Sequence, residues 1–535
     1  MRTFDGEFGL GGGLPEAAEG LDLQTSVLAG GLGDKLDALN LPKMMDKLLE
    51  ATSAPIALAV AAEAYAGTDA GAIIDRAMDR LSDIADTIAE VAPDGFTFPA
   101  LEHIENFGCC CIGCLKADTL ATNPDALIAT QYTDAINWGG DNNIVDSDDF
   151  NADGDLIIHY YFEPDQGSFS IFPRLEWTDY EEGQIREAFD VYETLINVEF
   201  VETTDKSEAE FTLNKINSFG IFLGVMNPPG EAQAGAAGFA AQPGAAGWTD
   251  EAGGGLEKGG YGWITIVHEF GHGLGLAHPH DNGGNSSILP GVNGDPQTDT
   301  GTFDLNQGVY TMLSYDDGWA LNPAGAIGRD DVIDYGYIAG PMAVDIGVLQ
   351  TKYGANTDHA TGDDVYLMPD FNGPGTYFEA IWDAGGTDEM RYDGSRDAVI
   401  DLRAATLEIE EGGGGNVSNA FGIYGGYTIA NGVVIENATG GSGDDVIVSN
   451  AADNVLTGNA GSDIFVFTET GGGVDTITDF EVGFDLVDLS DLDFARRDAS
   501  ISNEAGGVEL TIFDQTIIFT GLERSDLSLS DFLLS

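Results

Sequence analysis

The sequence predicts a multidomain α+β chain: an N-terminal helical region, a middle domain of mixed strands and helices, and an all-β C-terminal part wound as a parallel roll. Three observations predict it. Apolar residues recur at helical spacing between Asp34 and Val91, and strand-like alternation with one long helical pattern occupies residues 156–213. Glycine–aspartate nonapeptides, each with one inward apolar residue, run from Gly440 to Val466. The provisional domains are 1–125, 126–355 and 356–535. At 535 residues and 43% hydrophobic, the chain can fill several cores.

In the first region Leu36, Leu39, Leu41, Met44, Leu48 and Leu49, then Ile73, Ile74, Met78, Leu81, Ile84 and Ile88, define apolar helical faces. They predict a small helical layer or pro-segment, ended by Pro93 and Gly95. From about Gln131 the pattern changes. Leu156–Phe162 reads as a strand, and Asp179–Ile196 as a helix capped by Thr178 with Ile185, Phe189, Val191 and Leu195 inward. Val198–Glu202 and Ala209–Leu213 alternate as half-buried strands do. Residues 220–262, rich in Gly, Ala and Pro, read as a long connection over a cleft.

Four of the seven histidines then fall between His268 and His280, and the run satisfies H-E-x-x-H-x-x-G-x-x-H in full. His268 and His272 stand one helical turn apart on one face, so their imidazoles can converge on a single ion. Gly275 can take the left-handed conformation that ends the helix and turns the chain back, bringing His278 to the same ion. Three neutral imidazoles leave one zinc position open, the mark of a catalytic rather than a structural site. Glu269 flanks that position, where it can take a proton from a zinc-activated water and pass it to a leaving amine. His280 falls outside the pattern and is expected to be solvated or to stand behind the ligands.

All four cysteines lie together in Cys109-Cys110-Cys111-Ile112-Gly113-Cys114. Adjacent cysteines cannot staple distant parts of a fold. Three readings stay open: a thiolate that fills the vacant zinc position and keeps a zymogen latent, a separate metal or redox site, and exposed thiols without a role.

From about Trp138 to the C-terminus these residues resemble the serralysin branch of the metzincin zinc proteases. His278-Pro279-His280-Asp281 is close to that family's His-Pro-Gly-Asp, and Tyr310-Thr311-Met312-Leu313-Ser314-Tyr315 looks like its Met-turn. The resemblance implies that Tyr315 is an extra zinc ligand able to swing and support an oxyanion. The sequence departs at one point: the family's Met falls at Leu313, with Met312 one place earlier. Either a leucine of similar volume forms the apolar floor under the histidines, or the register shifts and displaces Tyr315. Residues 341–356 resemble the helix that closes the catalytic domain.

Gly440-Gly441-Ser442-Gly443-Asp444-Asp445-Val446-Ile447-Val448 matches the calcium nonapeptide at every fixed position, and the nine residues from Gly458 restore most of it after a weaker repeat carrying Asn454. Gly441, Gly443, Asp445, Asn454, Gly461 and Asp463 are candidate calcium ligands in a short β-roll. Segments around Tyr366, Ile381–Asp388 and Val434–Asn437 resemble family stretches leading into the roll. Asp364, Asp383 and Asp388 are therefore further calcium candidates, or plain loop carboxylates. Asp475–Ser490 resembles a β-sandwich after the roll, and Asp531-Phe532-Leu533-Leu534-Ser535 the uncleaved signal read by type I secretion machinery.

Twenty Lys and Arg against 91 Asp and Glu give a formal net charge of −71, which disfavours nucleic acid and anionic membrane surfaces. No stretch reaches the roughly 18 apolar residues of a membrane span. The N-terminus lacks an export signal peptide, so a secreted, extracellular location rests on the C-terminal resemblance. The expected function is a secreted, calcium-stabilised zinc endopeptidase acting on proteins or peptides. The alternative is a catalytically inactive calcium-binding surface protein of the same architecture.

Overall fold

The computed structural model describes residues 127–535 apart from 171, 219–221, 243–244, 246, 293–298, 324, 326–332, 469–472, 493, 495–497 and 535. The expected N-terminal helices and the Cys109–Cys114 cluster lie outside the described residues.

A short helix, α1 (Tyr132–Ile136), precedes β1 (Leu156–Phe162), whose residues alternate between buried and half-buried as its sequence predicts. A small hairpin of β2 (Ser168–Phe169) and β3 (Phe172–Pro173) leads to α2 (Asp179–Leu195). Thr178 starts α2 with a capping box: its hydroxyl accepts the Glu181 N–H at 3.3 Å, and the Glu181 carboxylate accepts the Thr178 N–H at 2.8 Å. The helix buries Ile185, Ala188, Phe189, Tyr192 and Leu195 against the sheet.

β4 (Val198–Glu202) and β5 (Phe211–Ile216) pair in parallel with β1 on its two sides. β5 starts two residues later than the alternation suggested and continues through Asn214 and Lys215. Those polar residues disguise a buried strand because each has an inward partner: Asn214 donates to Ala237 O, and Lys215 pairs with Glu181 at 2.7 Å.

The connection expected over 220–262 contains two more strands, β6 (Gly224–Met226) and β7 (Ala236–Ala240). The sheet order is β4-β1-β5-β7-β6, with β7 parallel to β5 and β6 antiparallel at the edge. Glycine and alanine hid these strands from a reading based on β-branched residues. Their small side chains allow the next helix, α3 (Tyr261–Gly273), to lie close against them.

α3 is buried almost all round. Phe270 stacks on Phe189 of α2 at 4.3 Å, and Phe189 on Phe200 of β4 at 4.2 Å, so one aromatic column joins both helices to the sheet. After a long irregular stretch, α4 (Ala343–Tyr353) packs beside α1. Its Lys352 is buried, and the ammonium donates to Trp138 O, Gly140 O and Asn143 O at 2.7–3.1 Å.

Beyond α4 the chain is largely β. One sheet stacks Val365–Leu367, Glu389–Arg391, Asn437–Thr439, Val455–Thr457 and Val474–Ile477 in parallel. It ends in the antiparallel meander Ala499–Glu504, Gly507–Ile512 and Gln515–Thr520. The other stacks Ala398–Asp401, Val446–Val448, Ile464–Val466, Leu486–Asp488 and Phe532–Leu533 in parallel. The inward residues Ile400, Ile447, Phe465 and Val487 of one sheet, and Met390, Ala438, Leu456 and Ile477 of the other, are buried. The roll is longer than three nonapeptides: the stretch from Asp475 adds further coils to both sheets.

Candidate metal centre

The three motif histidines meet. Their Nε2 atoms form a triangle with edges of 3.2, 3.2 and 3.1 Å. A tetrahedral zinc with Zn–N bonds of about 2.0–2.1 Å separates its ligands by about 3.3 Å, so the donor set fits that ion. Each ring directs its other nitrogen outward to an acceptor: His268 Nδ1 to Met312 O at 2.7 Å, His272 Nδ1 to Leu276 O at 2.9 Å, and His278 Nδ1 to Asp281 Oδ2 at 3.0 Å. Those bonds place the proton on Nδ1 and leave each Nε2 lone pair facing its two companions. Burial pulls His268 down to about 4 and drives His272 well below the ordinary imidazole range, with the neighbouring rings adding to the shift. Both are thus neutral, the form that ligates a metal.

Local sequence explains the geometry. α3 puts His268 and His272 one turn apart, and Gly275, at φ +92°, makes the left-handed reversal that returns His278 to them. Glu269 is buried between α3 and the edge strand β6. A Cβ on Gly224 would come within 2.6 Å of Glu269 Cγ and Oε1, so the edge strand approaches the carboxylate this closely only because residue 224 has no side chain.

Tyr315 lies among the histidines, its ring centre 4.7 Å from that of His278 and 6.0 Å from that of His268. Whichever of Met312 and Leu313 forms the apolar floor, Tyr315 stands beside these rings. Met312 and Leu313 are both buried; a Cβ on Gly271 of α3 would lie 2.4 Å from Met312 Cε and 3.4 Å from Leu313 Cδ2. Of the two readings of His280, the solvated one is excluded. Its buried ring stacks on His278 at 4.8 Å and 13°, with Tyr315 4.5 Å away on centres.

A second set of polar groups lines the roll. In one sheet Asp445 accepts the Ala398 N–H and the Gly441 N–H, Asp463 accepts the Asp445 N–H, and Asp485 accepts the Asp463 N–H, all at 2.6–3.0 Å. Gly443 and Gly461 occupy adjoining turns of this flank, in direct backbone contact. In the other sheet Asp388 accepts from Asp364 N, Glu436 from Asp388 N, and Asp475 from Asn454 N. Asn454 belongs to this second ladder and does not join Asp445 and Asp463. Its amide donates to Glu436 O and to Asn450 Oδ1, so hydrogen bonds rather than a charge hold that coil.

Asp364, Asp383 and Asp388 bring a carboxylate oxygen each within 4.8 Å of one another. Asp388 Oδ2 is buried and accepts no hydrogen bond among the described residues. An orphaned buried carboxylate oxygen beside two more carboxylates fits an oxygen-seeking cation such as calcium. Glu436, Asp475 and Asp485 went unread in the sequence. Their signal was present, since each stands two residues before an inward apolar residue, as Asp445 does.

Comparison with known proteins places the C-terminal part in a described family. The Peptidase M10 serralysin C-terminal family matches residues 344–515. Serralysin of Proteus mirabilis is 29% identical over 322 residues, 55% of this chain and 60% of that protein. Serralysin C of Dickeya chrysanthemi is 36% identical over 202 residues, 35% of this chain and 36% of that protein. Metallopeptidase AprA of Pseudomonas marginalis is 34% identical over 264 residues, 43% of this chain and 50% of that protein. The chain thus spans between 36% and 60% of the length of these relatives. The converging histidines thus stand ahead of a segment that matches the serralysin C-terminal family, and the chain is similar to serralysin-type metalloproteases over 35–55% of its length.

Proposed function

We propose that the chain is a secreted, calcium-stabilised, zinc-dependent endopeptidase that hydrolyses peptide bonds of proteins. The observation that carries this reading is the 3.1–3.2 Å triangle of imidazole nitrogens with Glu269 on the adjoining residue. His268, His272 and His278 would hold a zinc ion, which when bound would supply Lewis-acid polarisation and acidify water. Glu269 takes up the water's proton and returns it to the leaving amine. Tyr315 donates its phenol hydrogen bond to the oxyanion. An extended substrate lies antiparallel along the edge strand β6, where backbone pairing fixes the scissile bond beside the histidines.

Asp445, Asp463 and Asp485 on the carboxylate ladder, and Asp364, Asp383 and Asp388, would hold calcium. No helix among the described residues is long and apolar enough to cross a membrane. Export through type I machinery would keep the protease unfolded until it meets external calcium.

Purified full-length chain should digest casein, lose that activity to 1,10-phenanthroline, and recover it on adding zinc in the presence of calcium. A chain that binds calcium and folds, yet cleaves neither casein nor gelatin with zinc present, would instead be the inactive surface protein of the alternative reading. Gly224→Ala gives a sharper check. The added methyl must displace Glu269, and kcat/KM should fall up to about 100-fold while zinc content is unchanged. Wild-type kinetics in that variant would show that the close fit of β6 does not position the carboxylate.

A further inference from the structure

His268 differs from the other two histidines in what holds it. His272 bonds to a carbonyl four residues on, just past the end of its own helix, and His278 bonds to the nearby Asp281 carboxylate. His268 donates instead to Met312 O, 44 residues away in sequence. A carbonyl on a turn orients an imidazole only as firmly as the turn itself is held.

That turn is tied to a buried carboxylate by an unbroken hydrogen-bond chain. His268 Nδ1 donates to Met312 O at 2.7 Å, and the other end of the same peptide group, Leu313 N, donates to Thr311 Oγ1 at 3.2 Å. The Thr311 hydroxyl donates in turn to Asp345 Oδ1 at 2.6 Å. The second oxygen, Asp345 Oδ2, accepts Met312 N at 2.7 Å and Met342 N at 2.9 Å. Asp345 is fully buried at the start of α4, so no water competes for these bonds. Each donor in such a series polarises the next, and the series ends on an acceptor able to carry charge.

We propose that Asp345 is a positioning residue of the metal centre. Through Thr311 and the Met312–Leu313 peptide it fixes the tautomer and direction of His268, and so keeps His268 Nε2 at its corner of the triangle. The assignment rests on the metal-centre reading above. α4 also belongs to the matched serralysin C-terminal segment, which begins at residue 344. One carboxylate of that segment is therefore linked to His268.

The test is zinc affinity of the full-length, calcium-loaded chain, measured by competition with a chromophoric chelator, together with the visible spectrum of the cobalt(II)-substituted protein. Asp345→Asn should raise the zinc Kd about 10- to 100-fold and shift the cobalt bands. Thr311→Val should move both in the same direction by less. Should Asp345→Asn fail to fold, Thr311→Val decides on the same two readouts. Zinc affinity within about twofold of wild type and an unchanged cobalt spectrum in the folded variants would overturn the proposal alone. If His268→Ala also bound zinc like wild type, the metal-centre reading would fall and take this one with it.

Discussion

Glu269→Ala is expected to lower kcat/KM on a casein-derived peptide by about 10²- to 10⁴-fold, the usual contribution of a general acid–base group, and to leave zinc content at one per chain. The separation of the two effects follows from geometry. Glu269 is no corner of the nitrogen triangle, and the three outward bonds of the histidines go to Met312, Leu276 and Asp281. Its removal opens a small space against Gly224 without disturbing those bonds. The measurement pairs steady-state kinetics with atomic absorption on one preparation. Retention of a tenth or more of the wild-type rate would assign the proton transfer elsewhere.

Chelating calcium should have the largest effect on structure, and its pH dependence has a definite sign. Burial raises Asp388 and Asp445 to about 6 and Asp463 and Asp475 to about 7, from an ordinary 3.8, and pushes Asp485 up as well. A carboxylate with a raised folded-state pKa binds a proton on folding. In chelator, therefore, the roll is most stable below about pH 4 as far as these groups are concerned, and loses stability as pH rises through 6 to 7. At pH 8 with EGTA the C-terminal strands should melt, and part of their circular-dichroism signal should return near pH 5. Excess calcium should reverse the trend, because protons then compete with the ion for the same oxygens. A chelated protein whose melting temperature rose with pH over this range would contradict the account.

Much of this was legible in the sequence because the signals are local. The zinc motif compresses three ligands and a base into eleven residues, so helix geometry plus one left-handed glycine determines their convergence. α2 announced itself through Thr178 and Glu181, and the roll through its repeat. What escaped was what depends on distant partners. β5 was cut short because nothing in Asn214 and Lys215 reveals Ala237 and Glu181. β6 and β7 looked like loop because close approach of α3 selects small residues over β-formers. Asp345 reads as an ordinary first-turn acid of a helix until Thr311 and Met312 are seen to converge on it. His280 seemed to lie beyond the motif, yet the same reversal that delivers His278 buries it too.

The ammonium of Lys352 grips three carbonyls of the segment from Trp138 to Asn143, and this bears on how the molecule can be dissected. A fragment designed to end where the matched C-terminal segment begins would discard that grip and loosen the segment it holds. Anyone excising the half that carries the three histidines for crystallisation should run the clone past Gly354. A shorter piece is expected to lose stability for reasons unrelated to the three histidines, which a lower melting temperature would show.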